Sequence, residues 1–179
     1  IDTPIAELGF AGIAVGAAIN GLRPIVEFMT WNFAILAADQ IINSAAKMLQ
    51  MSGGQYHCPI VFRGGNGTAG QLGATHSQSF EAFYAHVPGL KVITPSNPAD
   101  AKGLLNASIN DPNPVIFFEH RWLHNTIDYV PKNYYLEDLN KARIIKKGSM
   151  ITLISFSYGV FNCIKSYNYL KKYNISVEI

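Results

Sequence analysis

Two side chains in this sequence have the type and setting to move protons. Glu7 lies in an apolar stretch beside Ile5, Leu8 and Phe10. Desolvated there, a carboxyl resists ionisation, its pKa rises, and it can hold or exchange a proton near neutral pH. The alternative is an exposed glutamate in the first turn of a helix, where negative charge favours the N-terminus. His76 lies in the run Arg63–Phe80, RGGNGTAGQLGATHSQSF, which is crowded with glycine. Glycine lets a backbone take positive φ or approach a ligand closely. A long loop after a buried strand is where open α/β folds build their sites, although a plain flexible connection would leave the imidazole merely solvated.

Two further groups could bind rather than react. Phe28-Met-Thr-Trp-Asn-Phe33 follows a strand-like run and could stack a flat heterocycle or simply fill the core. Asp111-Pro-Asn113 could offer oxygens to a hard cation, yet Asp-Pro-Asn is also a common turn. His57, His86, His120 and His124 show no metal-ligand spacing with Cys or Asp and read as structural or surface residues.

These groups must be carried by regular elements. Thr3 as N-cap and Pro4 at the first helical position predict a helix that stops near Gly21. A strand follows at 24–28. From 32 to 51, Phe33, Leu36, Ala37, Ile41, Ala45 and Met48 recur at helical steps. Strands are predicted at 59–63, 90–94 and 114–119, with helices at 79–87 and 98–110. The run PVIFFE at 114–119 is continuously apolar, as in strands covered on both faces. This alternation predicts a doubly wound, mostly parallel α/β sheet. Residues 121–148 are rich in Tyr, Asn, Lys and Asp and read as a linker after a first domain at 1–120. From 149 to 179 a β-α-β pattern reads as the truncated start of a second α/β domain.

At 179 residues, 49% of them hydrophobic and 15% charged, the chain can bury a sizeable core, and disorder is excluded. The low charge suggests apolar surface covered by a partner. A formal charge of +2 with no basic stripe gives no case for nucleic acid. Cys58 and Cys163 read as buried free thiols of a reducing compartment. The absence of an initiator Met and a strand-like end at Val177–Ile179 read as a fragment cut at both ends. Ile5–Leu22 only just approaches membrane-spanning length and is interrupted by Glu7 and Asn20, so a buried helix packed through Gly9, Gly12, Gly16 and Ala17 is the better reading.

The order of the pieces carries a family resemblance. Asp2-Thr-Pro-Ile-Ala-Glu-Leu-Gly-Phe-Ala-Gly-Ile-Ala-Val-Gly-Ala-Ala18 resembles the glutamate-bearing helix of the beta subunits of thiamine-dependent 2-oxoacid dehydrogenases. Pro24–Phe33, Asp39–Lys47, Met51-Ser-Gly-Gly54, Pro59–Gly64, His76-Ser-Gln78, Pro88–Val92 and Asp100–Gly103 are similar to that family in the same order. The likeness runs from residue 1 to about 119. It is strongest to the members that act on pyruvate, within the transketolase-like pyrimidine-binding superfamily. Beyond Arg121 it weakens, although the strand at Met150 is similar to the start of the family's C-terminal transketolase-like domain.

The resemblance implies thiamine diphosphate as cofactor, with a glutamate hydrogen-bonded to N1′ of its aminopyrimidine so that the cofactor can lose its C2 proton. Glu7 matches that glutamate, Phe33 the aromatic packed on the pyrimidine, with Met29 nearby, and His76 the histidine facing substrate and the lipoyl group. Ile60, Ser108, Ile109, Asp111 and Asn113 match a potassium site. Ser108 stands where a small apolar residue is usual. No Gly-Asp-Gly with a following Asn is present for Mg²⁺ and the diphosphate. In the family that half belongs to a separate alpha subunit of a heterotetramer, which serves a lipoyl acyltransferase core. The implied setting is a bacterial cytoplasm, or a mitochondrial matrix or plastid. The run Glu119-His-Arg-Trp-Leu-His124 departs from the pyruvate pattern. It keeps open a branched-chain 2-oxoacid or acetoin dehydrogenase beta subunit, or a transketolase-type synthase. A non-catalytic scaffold is the remaining alternative.

Overall fold

The computed structural model describes residues 1–68 and 70–179. Four parallel strands form the central sheet: β1 (Ile25–Phe28), β2 (Val61–Asn66), β3 (Lys91–Ile93) and β4 (Val115–His120), in the order β1-β2-β4-β3. The register places Glu27 against Arg63, Phe28 against Gly64, and Gly65 against Glu119. Helices cover both faces, which makes the sheet doubly wound. Residues alternate across the pleat. Phe62, Ile116 and Phe118 point into one core, which they share with α1 (Glu7–Ile19), while Val61, Val115 and Phe117 pack with Leu104, Leu105 and Ile109 of α5 (Pro98–Asn110).

The larger core is built on aromatic contacts. Trp31 is fully buried and lies 5.4 Å from Phe28, 4.5 Å from Phe118 and 5.2 Å from Tyr84, measured between ring centroids. Such pairs contribute about 0.5–1.5 kcal/mol each beyond area burial. They fix the chain immediately after β1, where the site is built.

Several sequence expectations shift. α1 begins at Glu7 with Ala6 as an uncapped N-terminus, not at Thr3-Pro4, and the Thr3 amide bonds the neighbouring Asp2 carboxylate. The helix buries Ala11, Val15 and Ala18 against residues 35–45. Of its glycines only Gly12 closes on a neighbour, Gln40, while Gly9 and Gly16 are exposed and Gly16 faces open space. The glycine-packed buried helix is therefore corrected to a one-faced helix. The periodic stretch 32–51 is helical as predicted, but its winding changes through α2 (Trp31–Ala34), a 3₁₀ turn (Ile35–Ala37), a π-helical turn (Gln40–Ala45) and α3 (Met48–Met51). It buries Ala37, Ile41 and Ala45, while Phe33 and Leu36 stay exposed. β2 runs on through Gly64 and Gly65, shortening the glycine loop.

α5 matches its predicted bounds, with Asn97 accepting from the Asp100 amide and Pro98 opening the first turn. α4 (Glu81–Ala85) is shorter than predicted. Residues 124–150 form neither helix nor strand but pack on α5: Lys102 donates to the carbonyls of Pro131, Lys132 and Asn133, and Tyr135 donates to Ala99. Beyond them β5 (Ile151–Thr152) pairs in parallel with β6 (Val177–Glu178) across α6 (Tyr158–Leu170). Cys58 is buried, and burial pushes its thiol up to about 11, whereas Cys163 is only partly buried. Among the described residues, no helix is long and apolar enough to cross a membrane.

Candidate functional site

The C-terminal ends of parallel strands are where open α/β sheets bind ligands. Here the end of β1 opens into a cavity of about 610 Å³. Its wall includes Glu7 and Phe10 of α1, Glu27 and Phe28 of β1, then Met29, Phe33 and Leu36. Glu7 is half-buried in the first turn of its helix and also lines the cavity. The aromatic run divides by role. Phe28 and Trp31 are core residues, whereas Phe33 stays 39% exposed and Met29 76% exposed, both open to the cavity.

The turn that presents Phe33 is set locally. Thr30 caps α2, its hydroxyl oxygen accepting from the Asn32 amide. The Asn32 side chain, 6% exposed, donates to the Thr30 hydroxyl at 2.7 Å. Its oxygen accepts from the backbone and side-chain amides of Gln78, each at 3.2 Å. Gln78 ends the loop that carries His76, and that loop is closed at its base by the Gly67 amide donating to the Gln78 carbonyl. His76 ends a 3₁₀ turn (Ala74–His76), and its Nδ1 lies 3.0 Å from the Thr75 hydroxyl. The imidazole then meets Phe33 edge-on. Glu7, Met29 and Phe33 thus share one cavity, and His76 joins them through Phe33.

Sequence reasoning missed Asn32, although a polar residue among Phe28, Trp31 and Phe33 was a signal. It also missed Arg63 and Arg121. Arg63 donates to both carboxylate oxygens of Glu119, at 2.6 and 2.8 Å, and to Glu27 at 2.8 Å, tying together β1, β2 and β4. Arg121 donates to the Met29 carbonyl at 2.7 Å. His120 stacks on Tyr158 with centroids 5.1 Å apart, and its pKa is lowered, chiefly by burial, with His124 adding to the effect and Glu81 opposing it. Among the described residues, no group of three or more His, Cys, Asp or Glu is placed to hold a metal ion.

Ile60, Ser108, Ile109, Asp111 and Asn113 gather at the opposite end of the sheet, around the turn from α5 into β4. The oxygens of Ile60, Ser108, Ile109 and Asp111 already have donors. Ile60 O accepts from the Val115 amide and Ser108 O from the Asp111 amide. Arg23 donates to the carbonyls of Ile109 and Asp111 at 2.8 and 3.1 Å. One Asp111 carboxylate oxygen takes Lys91; the other takes the Asn113 amide and side chain, as in an Asx turn. Burial opposes ionisation of Asp111, but Lys91 and Asn113 together hold its pKa below the ordinary value.

The transketolase pyrimidine-binding domain family matches residues 1–126, the stretch that contains β1 to β4 and every residue of the cavity. The chain belongs to this family. The chain is 56% identical to the pyruvate dehydrogenase E1 component subunit beta of Rhizobium meliloti over 180 residues, covering all of the chain and 39% of that relative. It is 51% identical over 179 residues to the protein of the same name from Rickettsia conorii, covering 55% of it. It is 49% identical over 183 residues to the mitochondrial protein of Homo sapiens, covering 51%. The chain therefore spans two fifths to just over half the length of these relatives. A solved structure described as a split gene transketolase, inactive beta4 tetramer, superposes with a TM-score of 0.81 at 18% identity, over 99% of this chain and 55% of that one. That likeness carries the fold alone.

The cavity suits a flat, weakly basic heterocycle: its walls are Phe10, Phe28, Met29, Phe33 and Leu36, with the Glu7 carboxyl at one side. It does not suit a diphosphate by itself. The charged groups among its described lining residues are the carboxyls of Asp2, Glu7 and Glu27.

Proposed function

We propose that this chain is part of the beta subunit of a thiamine diphosphate-dependent 2-oxoacid dehydrogenase acting on pyruvate. The observation that carries the reading is the convergence of Glu7, Met29 and Phe33 on one apolar cavity, with His76 against Phe33, in a chain 49–56% identical to E1 beta subunits along its whole length. When bound, thiamine diphosphate supplies the nucleophilic carbon that attacks the 2-oxo group and takes up the electrons released on decarboxylation.

The residues of this chain do the rest. Glu7 holds a proton at its carboxyl and shares it with the pyrimidine ring nitrogen, and the apolar wall keeps water from competing. Phe33 and Met29 flank the ring and orient it. His76 gives and takes a proton at the substrate side and faces the lipoyl arm, since its loop lies apart from the helix bearing Glu7. Donors for the diphosphate, with Mg²⁺, come from an alpha subunit in a heterotetramer, and a lipoyl acyltransferase core receives the acyl group. Residues 121–148 connect the first domain to the start of a second α/β domain at 149–179.

Potassium at the Asp111 turn is a separable part of the proposal. Each carbonyl has two lone pairs, so an ion would share the Ile109 and Asp111 oxygens with Arg23. Melting temperature in potassium against sodium tests it.

The deciding experiment is decarboxylation by the full-length protein with its alpha partner across a panel of 2-oxoacids, read with an artificial electron acceptor. Pyruvate should be turned over fastest. Preference for a branched-chain 2-oxoacid would support the second reading, which the departure at Glu119–His124 keeps open. No turnover of any 2-oxoacid would overturn the enzyme reading.

A further inference from the structure

The segment that departs from the pyruvate pattern, Glu119–His124, contains a side chain that reaches back to the cavity wall. Arg121 opens a short 3₁₀ turn (Arg121–Leu123) at the end of β4. Its Nη2 donates to the carbonyl of Met29, 92 residues earlier, at the end of β1. The side chain gets there by lying across Gly65 on the strand between. A Cβ on Gly65 would fall 2.5 Å from Arg121 Nε and 3.2 Å from its Cγ, so the arginine fits only because β2 carries glycine there. The neighbouring His120 lies in the same way over Gly67, at whose Cβ position Nε2 would be 2.6 Å away. Gly67 has φ of +81° and its amide closes the His76 loop. Residues 120 and 121 therefore bear on the two parts of the site at once.

Met29 is where this matters. It lines the cavity, is largely exposed, and precedes the Thr30 cap that starts α2 and sets Phe33. The Asn32–Gln78 bonds fix this turn to the His76 loop from one side. Arg121 fixes it from the other. We propose that Arg121 is a positioning residue for the reaction: through the Met29 carbonyl it holds the Met29–Phe33 wall where the cofactor ring must sit. The inference rests on the function proposed above, because it assigns that wall to a cofactor.

The test uses the full-length chain with its alpha partner and the variants R121Q, R121K, G65A and the double variant G65A/R121Q. Two readouts are taken besides turnover. Hydrogen exchange of the Met29–Phe33 amides reports the wall without needing cofactor. A titration with thiamine diphosphate and Mg²⁺ gives affinity separately from kcat at saturation. R121Q should speed exchange at these amides and weaken the cofactor roughly tenfold, the scale of one lost charge-assisted bond, while kcat at saturation stays within about threefold. R121K should recover part of the affinity. G65A should reproduce R121Q, and the double variant should be no worse than either single one, because both remove the same contact.

Unchanged exchange or unchanged affinity in R121Q would overturn the proposal. So would equal losses in affinity and kcat together with a fall in melting temperature, which would make Arg121 a plain stabilising contact. Additive losses in the double variant would overturn it too. Wild-type enzyme that binds no cofactor in the same titration would instead sink the functional reading, and the cofactor role of Arg121 with it.

Discussion

The imidazole of His76 stands edge-on to the ring of Phe33, with centroids 5.2 Å apart and planes at 84°. This contact couples a residue of the cavity wall to the loop that carries the histidine. It implies that the two cannot be altered independently. F33A should therefore weaken cofactor binding and also reduce turnover at saturating cofactor, by roughly 10²-fold in the latter, the low end of what a displaced acid–base group costs. Steady-state kinetics at a series of cofactor concentrations separates the two effects, and an unchanged kcat would show that the ring contact is incidental.

The proposed mechanism makes cofactor activation depend on Glu7. E7Q keeps the shape of the side chain but cannot share an acidic proton, so decarboxylation by the assembled enzyme should fall by about 10²–10⁴-fold. Circular dichroism should show the fold intact, since Glu7 is only half-buried and caps nothing through its side chain. A variant that retains most of the wild-type rate would remove Glu7 from the mechanism.

His76 should act later than Glu7. In H76A, exchange of the cofactor's C2 proton followed by NMR should stay near wild type, while acyl transfer falls by roughly 10²-fold or more. Equal losses in both would mean that His76 shapes the cavity as a whole.

The Asp111 pair gives a pH dependence unrelated to catalysis. The folded state holds this carboxyl below its ordinary value, against the effect of burial. A depressed carboxylate adds stability above its unfolded pKa of about 3.9, and that stability is lost as pH falls through the folded value. D111N should thus lower stability by about 1.5–3 kcal/mol at neutral pH, the scale of a bond to a charged group. Urea unfolding at pH 7 and at pH 3 should show the gap between the two proteins narrowing in acid; a gap independent of pH would mean that Lys91 adds nothing through charge.

Thiol chemistry should separate the two cysteines. Burial leaves Cys58 2% exposed and pushes its pKa up to about 11, so little thiolate forms at neutral pH. Mass spectrometry after limited alkylation should find Cys163 modified first and Cys58 protected until unfolding. Equal labelling rates would show that the segment around Cys58 opens readily.

What the sequence made legible was the local part of the design. Pro98 announces the start of α5, and the PVIFFE run announces a strand covered on both faces. Thr3-Pro4 places the helix start about one turn early: α1 opens at Glu7, and no side chain caps its N-terminus. The periodicity of 32–51 marked a helix and the buried positions Ala37, Ile41 and Ala45 but not its changes of winding, because a 3₁₀ or π-helical turn alters the hydrogen-bond ladder without a residue-type signal. At the site, Glu7, Phe33 and His76 stood out by type and setting. Asn32–Gln78 and Arg121–Met29 did not, because these bonds join residues 46 and 92 positions apart, and no local spacing encodes them.

The Lys102 ammonium, which takes three successive carbonyls of Pro131, Lys132 and Asn133, has a mechanical consequence. With Tyr135 hooked to Ala99 and Arg143 to Asp100, the run between the sheet and the β5–α6–β6 unit is pinned along α5 at several points. It is a strut, not a tether. Torque applied to the far unit is delivered to α5 and to the strands beneath it, so the two parts of the chain turn together and a hinge between them has little room to work.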